Sequence, residues 1–186
     1  MKLSVFPRTA KRKSDAKKVR RQGQIPGVMY GVGQTNQNVY FQADELQAIF
    51  RKMRPGLLAT TLFELNEGNQ VHRAIVKEIQ YHPATYAVLH VDFVLVFDDK
   101  PVTVNVPIQI EGKAECVGIK LGGFLRQVVR SVKVSCLPKD IPEAFTLDVS
   151  NLDVSQSMNL SQLSIPEGVR SLAKMGEVAV VIAKKA

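Results

Sequence analysis

The sequence has no tryptophan, and aromatic residues make up only 6% of it, although its 45% hydrophobic content is enough to build cores and excludes a disordered or fibrous chain. Cysteine is equally scarce. Cys116 and Cys136 are the two present, at a spacing that fits no zinc pattern, and His72, His82 and His90 lie far upstream of both. The pair is expected to be reduced thiols, with no metal and no cofactor. No apolar run approaches the roughly 18 residues of a membrane span, and the first residues hold no apolar signal core. A cytoplasmic protein with no membrane contact is therefore expected. Nucleophile elbows and glycine-rich phosphate loops are missing as well. Gly31-Val32-Gly33 and Gly118 through Gly122-Gly123 do not lead from a strand into a helix and read as turns. No enzyme and no small-molecule substrate are expected.

Acidic residues are almost absent from one place, and that place is the most informative. Residues 1–25 carry nine basic side chains and a single acid, Asp15, while the remaining 161 residues carry sixteen of each sign. The formal charge of +8 therefore sits in one segment on an otherwise neutral chain. Such a segment suits a polyanion. Its apolar content between residues 8 and 24 is Ala10, Ala16 and Val19, too little to enter a bilayer interface. Ser14 as N-cap and Gly23 beyond the C-terminus predict a helix over about 15–22, with Lys17, Arg20 and Arg21 sharing a face. Like charges at that spacing oppose the helix unless an anion offsets them.

The rest reads as β-structure. Strands are expected at Lys2–Phe6, 28–31, 38–42, 58–65, 71–79 and 86–97, with Ile25-Pro26-Gly27 as a turn and 66–69 as a hairpin loop. Leu46, Ile49, Phe50 and Met53 recur at helical spacing and predict a second helix over 44–53. Asp98-Asp99-Lys100-Pro101 is polar, ends in proline, and divides two β-rich halves. The expected fold class is mainly β (α+β): an N-terminal β-barrel with one or two short helices over 1–97, a linker over 98–101, and a second mostly-β domain over 102–186. In the latter, Pro107 argues that the strand beginning at Val102 is an edge or is bulged.

Two patterns carry candidate chemistry. Tyr30-Gly31 suits either a core tyrosine beside a turn or a tyrosine that meets RNA. His90 and Asp92 share one face of a strand. On spacing alone they are a mutually satisfied structural pair, or a pair that reads base edges, and no third ligand is spaced to make them a metal site.

The order of these features resembles a known family. The basic arm runs into Val19-Arg20-Arg21-Gln22-Gly23-Gln24-Ile25-Pro26-Gly27-Val28-Met29-Tyr30-Gly31. Later come Ile79-Gln80-Tyr81-His82-Pro83, His90-Val91-Asp92-Phe93, Gly122-Gly123, Leu137-Pro138-Lys139-Asp140-Ile141-Pro142 and Asp148-Val149-Ser150. This is similar to the bacterial large-subunit ribosomal protein twenty-five family in its long general-stress (CTC) form, over nearly the whole chain. The resemblance implies a cytoplasmic, ribosome-associated protein that binds 5S rRNA through an N-terminal β-barrel. It implies RNA contacts at Arg20 or Arg21, Tyr30, His90 and Asp92. Arg8 falls near an early family arginine, with Lys11 as its rival, and Lys13, Lys17 and Lys18 fall in the family's basic stretch. Gln80 is a further candidate. Where many members have Gly-Lys-Gly, this chain reads Arg12-Lys13-Ser14, and the two replacements restrict the backbone of the arm. Residues 102–186 show no nucleic-acid signature, and a neighbouring ribosomal protein or rRNA is their expected partner. A stress-induced RNA-binding protein acting off the ribosome would share the same arm and is the alternative.

Overall fold

The structure is a computed structural model that describes residues 1–9, 13–31, 33–54 and 56–184. Its contacts divide the chain into two compact units, Met1–Lys100 and Pro101–Ala186. The chain is mostly β, as the alternating patterns predict, with short helices in the first unit.

The first unit contains β1 (Lys2–Ser4), β2 (Phe6–Pro7), α1 (Lys13–Arg21), β3 (Gln24–Tyr30), β4 (Gln37–Gln42), α2 (Ala43–Lys52), β5 (Leu62–Glu67), β6 (Gln70–Tyr81) and β7 (Val88–Leu95). The strands form one seven-stranded sheet in the order β1-β5-β6-β7-β3-β4-β2. The two ends of that order are neighbours in the chain, separated by Val5 alone. The segment pairs with β5 on one side (Leu3 with Leu65) and with β4 on the other (Phe6 with Tyr40), which rolls the sheet into a nearly closed barrel. Closure removes the open edges that would otherwise template aggregation.

Inside stand Leu3, Val39, Phe41, Phe63, Leu65, Val91 and Phe93, all fully buried. Phe93 meets Phe41 and Phe63 edge-on, with ring centroids 5.9 and 5.7 Å away. Each buried phenylalanine stabilises the fold by about 1.5–3 kcal/mol relative to an exposed one. The predicted helical stripe is realised in α2. Leu46 is buried, and Ile49, Phe50 and Met53 pack against the same core. Glu45 ties α2 to the closing segment by accepting from the backbone N–H of Ser4 at 3.0 Å and from its hydroxyl.

Several expectations shift. Gly68-Asn69 makes a two-residue hairpin between Glu67 and Gln70, tighter than the four residues expected, with Gly68 at φ 58° as primed turns require. Ile25-Pro26-Gly27 is not a turn but the first half of β3. Pro26 is tolerated there because only β4 pairs with it, through Tyr40, while the parallel ladder to β7 begins at Gly27. Gly27 permits that approach, since a Cβ at this position would lie 2.6 Å from the Val91 carbonyl oxygen and 2.8 Å from the Phe41 ring. Helix α1 begins at Lys13, ahead of Ser14, so Ser14 is not its N-cap, while Gly23 at φ 72° ends it as expected. Residues 82–87, whose last two open the expected strand, form a tight turn before β7.

The second unit contains β8 (Val102–Glu111), α3 (Val117–Lys120), β9 (Gly123–Gln127), β10 (Ser131–Cys136), β11 (Phe145–Asp148), β12 (Ser157–Asn159), β13 (Arg170–Ser171) and β14 (Val178–Lys184). They form two sheets, ordered β11-β8-β10-β13 and β12-β14-β9. Strand β8 stands between β11 and β10 in the sheet order, but each of its residues pairs on one flank only: residues 102–107 with β10 and residues 108–111 with β11. Pro107, at the change of neighbour, is therefore one-sided as an edge residue is. Val104, Val106, Val132, Val134, Phe145 and Leu147 fill the core. Cys116 and Cys136 are both free and buried, and burial pushes the Cys136 thiol up, helped by Asp140. Among the described residues no helix is long and apolar enough to cross a membrane.

Candidate nucleic-acid interface

Alternation along the barrel strands decides which side chains reach solvent. In β7 the residues Val91, Phe93 and Leu95 point to the core, so His90 and Asp92 point outward. The neighbouring ladders fix what stands beside them. Val28 of β3 pairs with Asp92, and Tyr30 pairs with Val94. On the other flank Gln80 of β6 pairs with His90, and Glu78 pairs with Asp92. One outer face of three strands therefore carries Tyr30, Glu78, Gln80, His90 and Asp92.

His90 Nδ1 lies 2.7 Å from Asp92 Oδ1, with both side chains about a quarter exposed. The contact satisfies the structural reading of the pair, and the remaining exposure leaves both groups reachable. When Nδ1 carries the proton, a neutral His90 presents Nε2 as an acceptor. Burial raises the Tyr30 hydroxyl above its ordinary pKa, and the negative fields of Asp92 and then Glu78 raise it further. The phenol therefore stays protonated and able to donate.

Sequence reading missed Glu78. Lys77 is an extra residue in β6, at a register shift between Val76 and Glu78, and this bulge sets Glu78 opposite Asp92. The glutamate itself was visible in the sequence, but its partner was not. Together Glu78, Gln80 and Asp92 make this strip rich in acceptors. Phosphates are repelled by such a strip, whereas base amino groups and ribose hydroxyls are suited to it.

The basic helix is fixed beside the face. Strands β2 and β3 both pair with β4, so the arm between them is anchored at each end rather than trailing as a tail. Helix α1 packs on β3. Arg20 Nε donates to the Leu89 carbonyl oxygen at 3.0 Å, one residue before His90. Arg8 follows β2, and its Nε donates to the Val39 carbonyl oxygen at 3.0 Å. Burial lowers the Arg8 guanidinium from its usual value, with Asp15 opposing and Arg20 reinforcing the shift. Lys17, Lys18, Arg20 and Arg21 are exposed along the helix. Lys11 lies outside the described residues, as does the side chain of Lys13, whose backbone opens the helix.

Among the described residues no three His, Cys, Asp or Glu side chains are grouped to hold a metal ion. His82 is occupied locally, its Nδ1 accepting the backbone N–H groups of Ala84 and Thr85 at 3.3 and 3.2 Å.

Comparison with known proteins agrees with this architecture. Residues 3–93 match the model of the ribosomal L25p family, and residues 101–186 match that of the ribosomal protein TL5 C-terminal domain. The chain is 44% identical to the large ribosomal subunit protein bL25 of Chlamydia trachomatis serovar L2, over all of both chains. It is 43% identical to the bL25 protein of Chlamydia muridarum and 39% identical to that of Chlamydia pneumoniae, again over the full length of each. A barrel with an anchored basic arm, joined to a TL5-type second unit, thus makes this chain a member of the ribosomal L25p family in its long, two-domain form.

Proposed function

We propose that this chain is a structural constituent of the large ribosomal subunit and that it binds 5S rRNA through the basic arm and the outer barrel face. The single observation that carries the reading is the Arg20–Leu89 hydrogen bond, which fixes the cationic helix beside the strand bearing His90 and Asp92. Two chemistries thereby stand side by side on one barrel.

Arg8, Lys11, Lys13, Lys17, Lys18, Arg20 and Arg21 supply phosphate contacts that set affinity and orientation without reading sequence. Tyr30, Gln80, His90 and Asp92 recognise an irregular RNA minor groove, where base edges and 2′-hydroxyls are exposed. Asp92 accepts from a base amino group or a ribose hydroxyl, and the protonated Tyr30 donates. Residues 1–97 are the RNA-binding domain, 98–101 the linker, and 102–186 the part that meets a neighbouring ribosomal protein or rRNA. No catalytic step is assigned to any residue.

A band shift with the full chain on 5S rRNA against tRNA tests the reading. Preferential retention of 5S rRNA at moderate salt is expected, and equal affinity for both RNAs overturns it. Sedimentation of cell extracts separates this function from that of a stress-induced RNA-binding protein. Co-migration with large subunits is expected, and migration free of ribosomes favours the alternative.

A further inference from the structure

We propose that Tyr86, at the tip of the β6–β7 hairpin, is a stacking platform for an unpaired base of the same RNA. The proposal rests on the RNA-binding reading above and adds a contact at a position outside the arm and the sheet face.

Tyr86 is 78% exposed, the highest value among the large apolar and aromatic side chains described. It is also held in the left-handed region, at φ 55°. That region disfavours a residue with a Cβ, above all a bulky one. Elsewhere in the described chain every positive φ falls on glycine, except at Ser155. A ring this exposed contributes little burial to the barrel, while its backbone is strained. A glycine would serve the turn better, so the ring has a use outside the fold.

The turn does not collapse to hide the ring. His82 N–H donates to the Ala87 carbonyl oxygen at 2.8 Å, and Tyr86 N–H donates to the His82 carbonyl oxygen at 2.9 Å. The His82 ring braces the same turn from within, through its two contacts to Ala84 and Thr85. Tyr86 is therefore presented on a closed, hydrogen-bonded tip.

The position and chemistry of the tip point to a base. The Gln80–His90 pair of the candidate interface is followed by Tyr81–Val88, and then the turn begins. His82 stands two strand positions beyond Gln80, about 7 Å at the usual rise. From Tyr81 to Leu89 the sequence holds no Asp, Glu, Lys or Arg, so the tip has no lysine or arginine to pair with a phosphate. Tyr81 beside it is half exposed too. An aromatic surface without charge, next to a charged RNA-binding arm, suits the π-face of a nucleobase.

The test uses the full chain and 5S rRNA. Tyr86→Phe keeps the ring and should bind like the wild type. Tyr86→Gly removes the ring, suits the left-handed backbone, and should bind about tenfold more weakly. Its salt dependence should match the wild type, because no phosphate contact is lost. A Tyr86→Gly affinity within twofold of the wild type overturns the stacking proposal alone, whereas a wild-type chain that ignores 5S rRNA overturns both readings. Should Tyr86→Gly melt early, Tyr86→Trp decides the matter. It creates the sole tryptophan of the chain, whose emission should be quenched by 5S rRNA. An unchanged emission with RNA bound overturns stacking.

Discussion

Glu78 faces Asp92 directly across the β6–β7 ladder, so two carboxylates share one outer row of the barrel. Like charges in such cross-strand positions destabilise a sheet by a few tenths of a kcal/mol up to about 1 kcal/mol. Glu78→Gln should therefore raise the stability of the chain by an amount in that range, measured by thermal or denaturant unfolding. It should also tighten binding to RNA of any sequence, because one repulsive charge is removed. A drop in stability would show that Glu78 is held by favourable contacts, contrary to the repulsion inferred.

Asp92→Ala removes the acceptor at the centre of the face. The expected loss is about 1–3 kcal/mol for 5S rRNA, with little change for an unrelated RNA duplex. Competitive filter binding measures both. Equal losses on the two RNAs would make Asp92 a fold residue that orients His90 and not a reader.

Lys17→Ala removes an exposed cation from the arm. Binding should weaken on all RNAs alike, and the slope of log K against log salt should flatten by about 1. A salt titration of both proteins measures this, and an unaltered slope takes Lys17 out of the phosphate-contacting set.

Gly27→Ala places a methyl group 2.6 Å from the Val91 carbonyl oxygen and 2.8 Å from the Phe41 ring. Neither backbone nor core can yield without spreading β3 from β7, so a loss of about 1–3 kcal/mol is expected. Because Val28 lies beside Asp92 and Tyr30 ends the same strand, RNA affinity should fall with stability. Unfolding curves combined with band shifts measure the two together, and full stability would mean that β3 and β7 part more easily than their spacing implies.

The elements that rest on local pattern were readable in advance. The stripe of Leu46, Ile49, Phe50 and Met53 identified α2, Gly23 marked the end of α1, and alternation placed His90 and Asp92 on one face. What escaped depends on partners distant in the chain. Pro26-Gly27 carries an ordinary turn signal, and only the neighbouring β7 and Phe41 make it a strand. Glu78 looked unremarkable until the Lys77 bulge set its register. The His90–Asp92 contact was one of two readings open from the sequence, and the observed geometry satisfies its structural version while leaving both groups accessible. The strand expected from residue 86 begins only at Val88, because the closed turn at His82 claims Tyr86 and Ala87.

The run from Lys2 to Pro7 stitches two borders of the sheet and leads straight into the arm. A ligand gripping the arm is therefore coupled to the seam that keeps the cylinder shut. By mass action, whatever free energy RNA gives to the bound state it also gives to that seal, so the protein should resist heat and proteolysis best when it is docked.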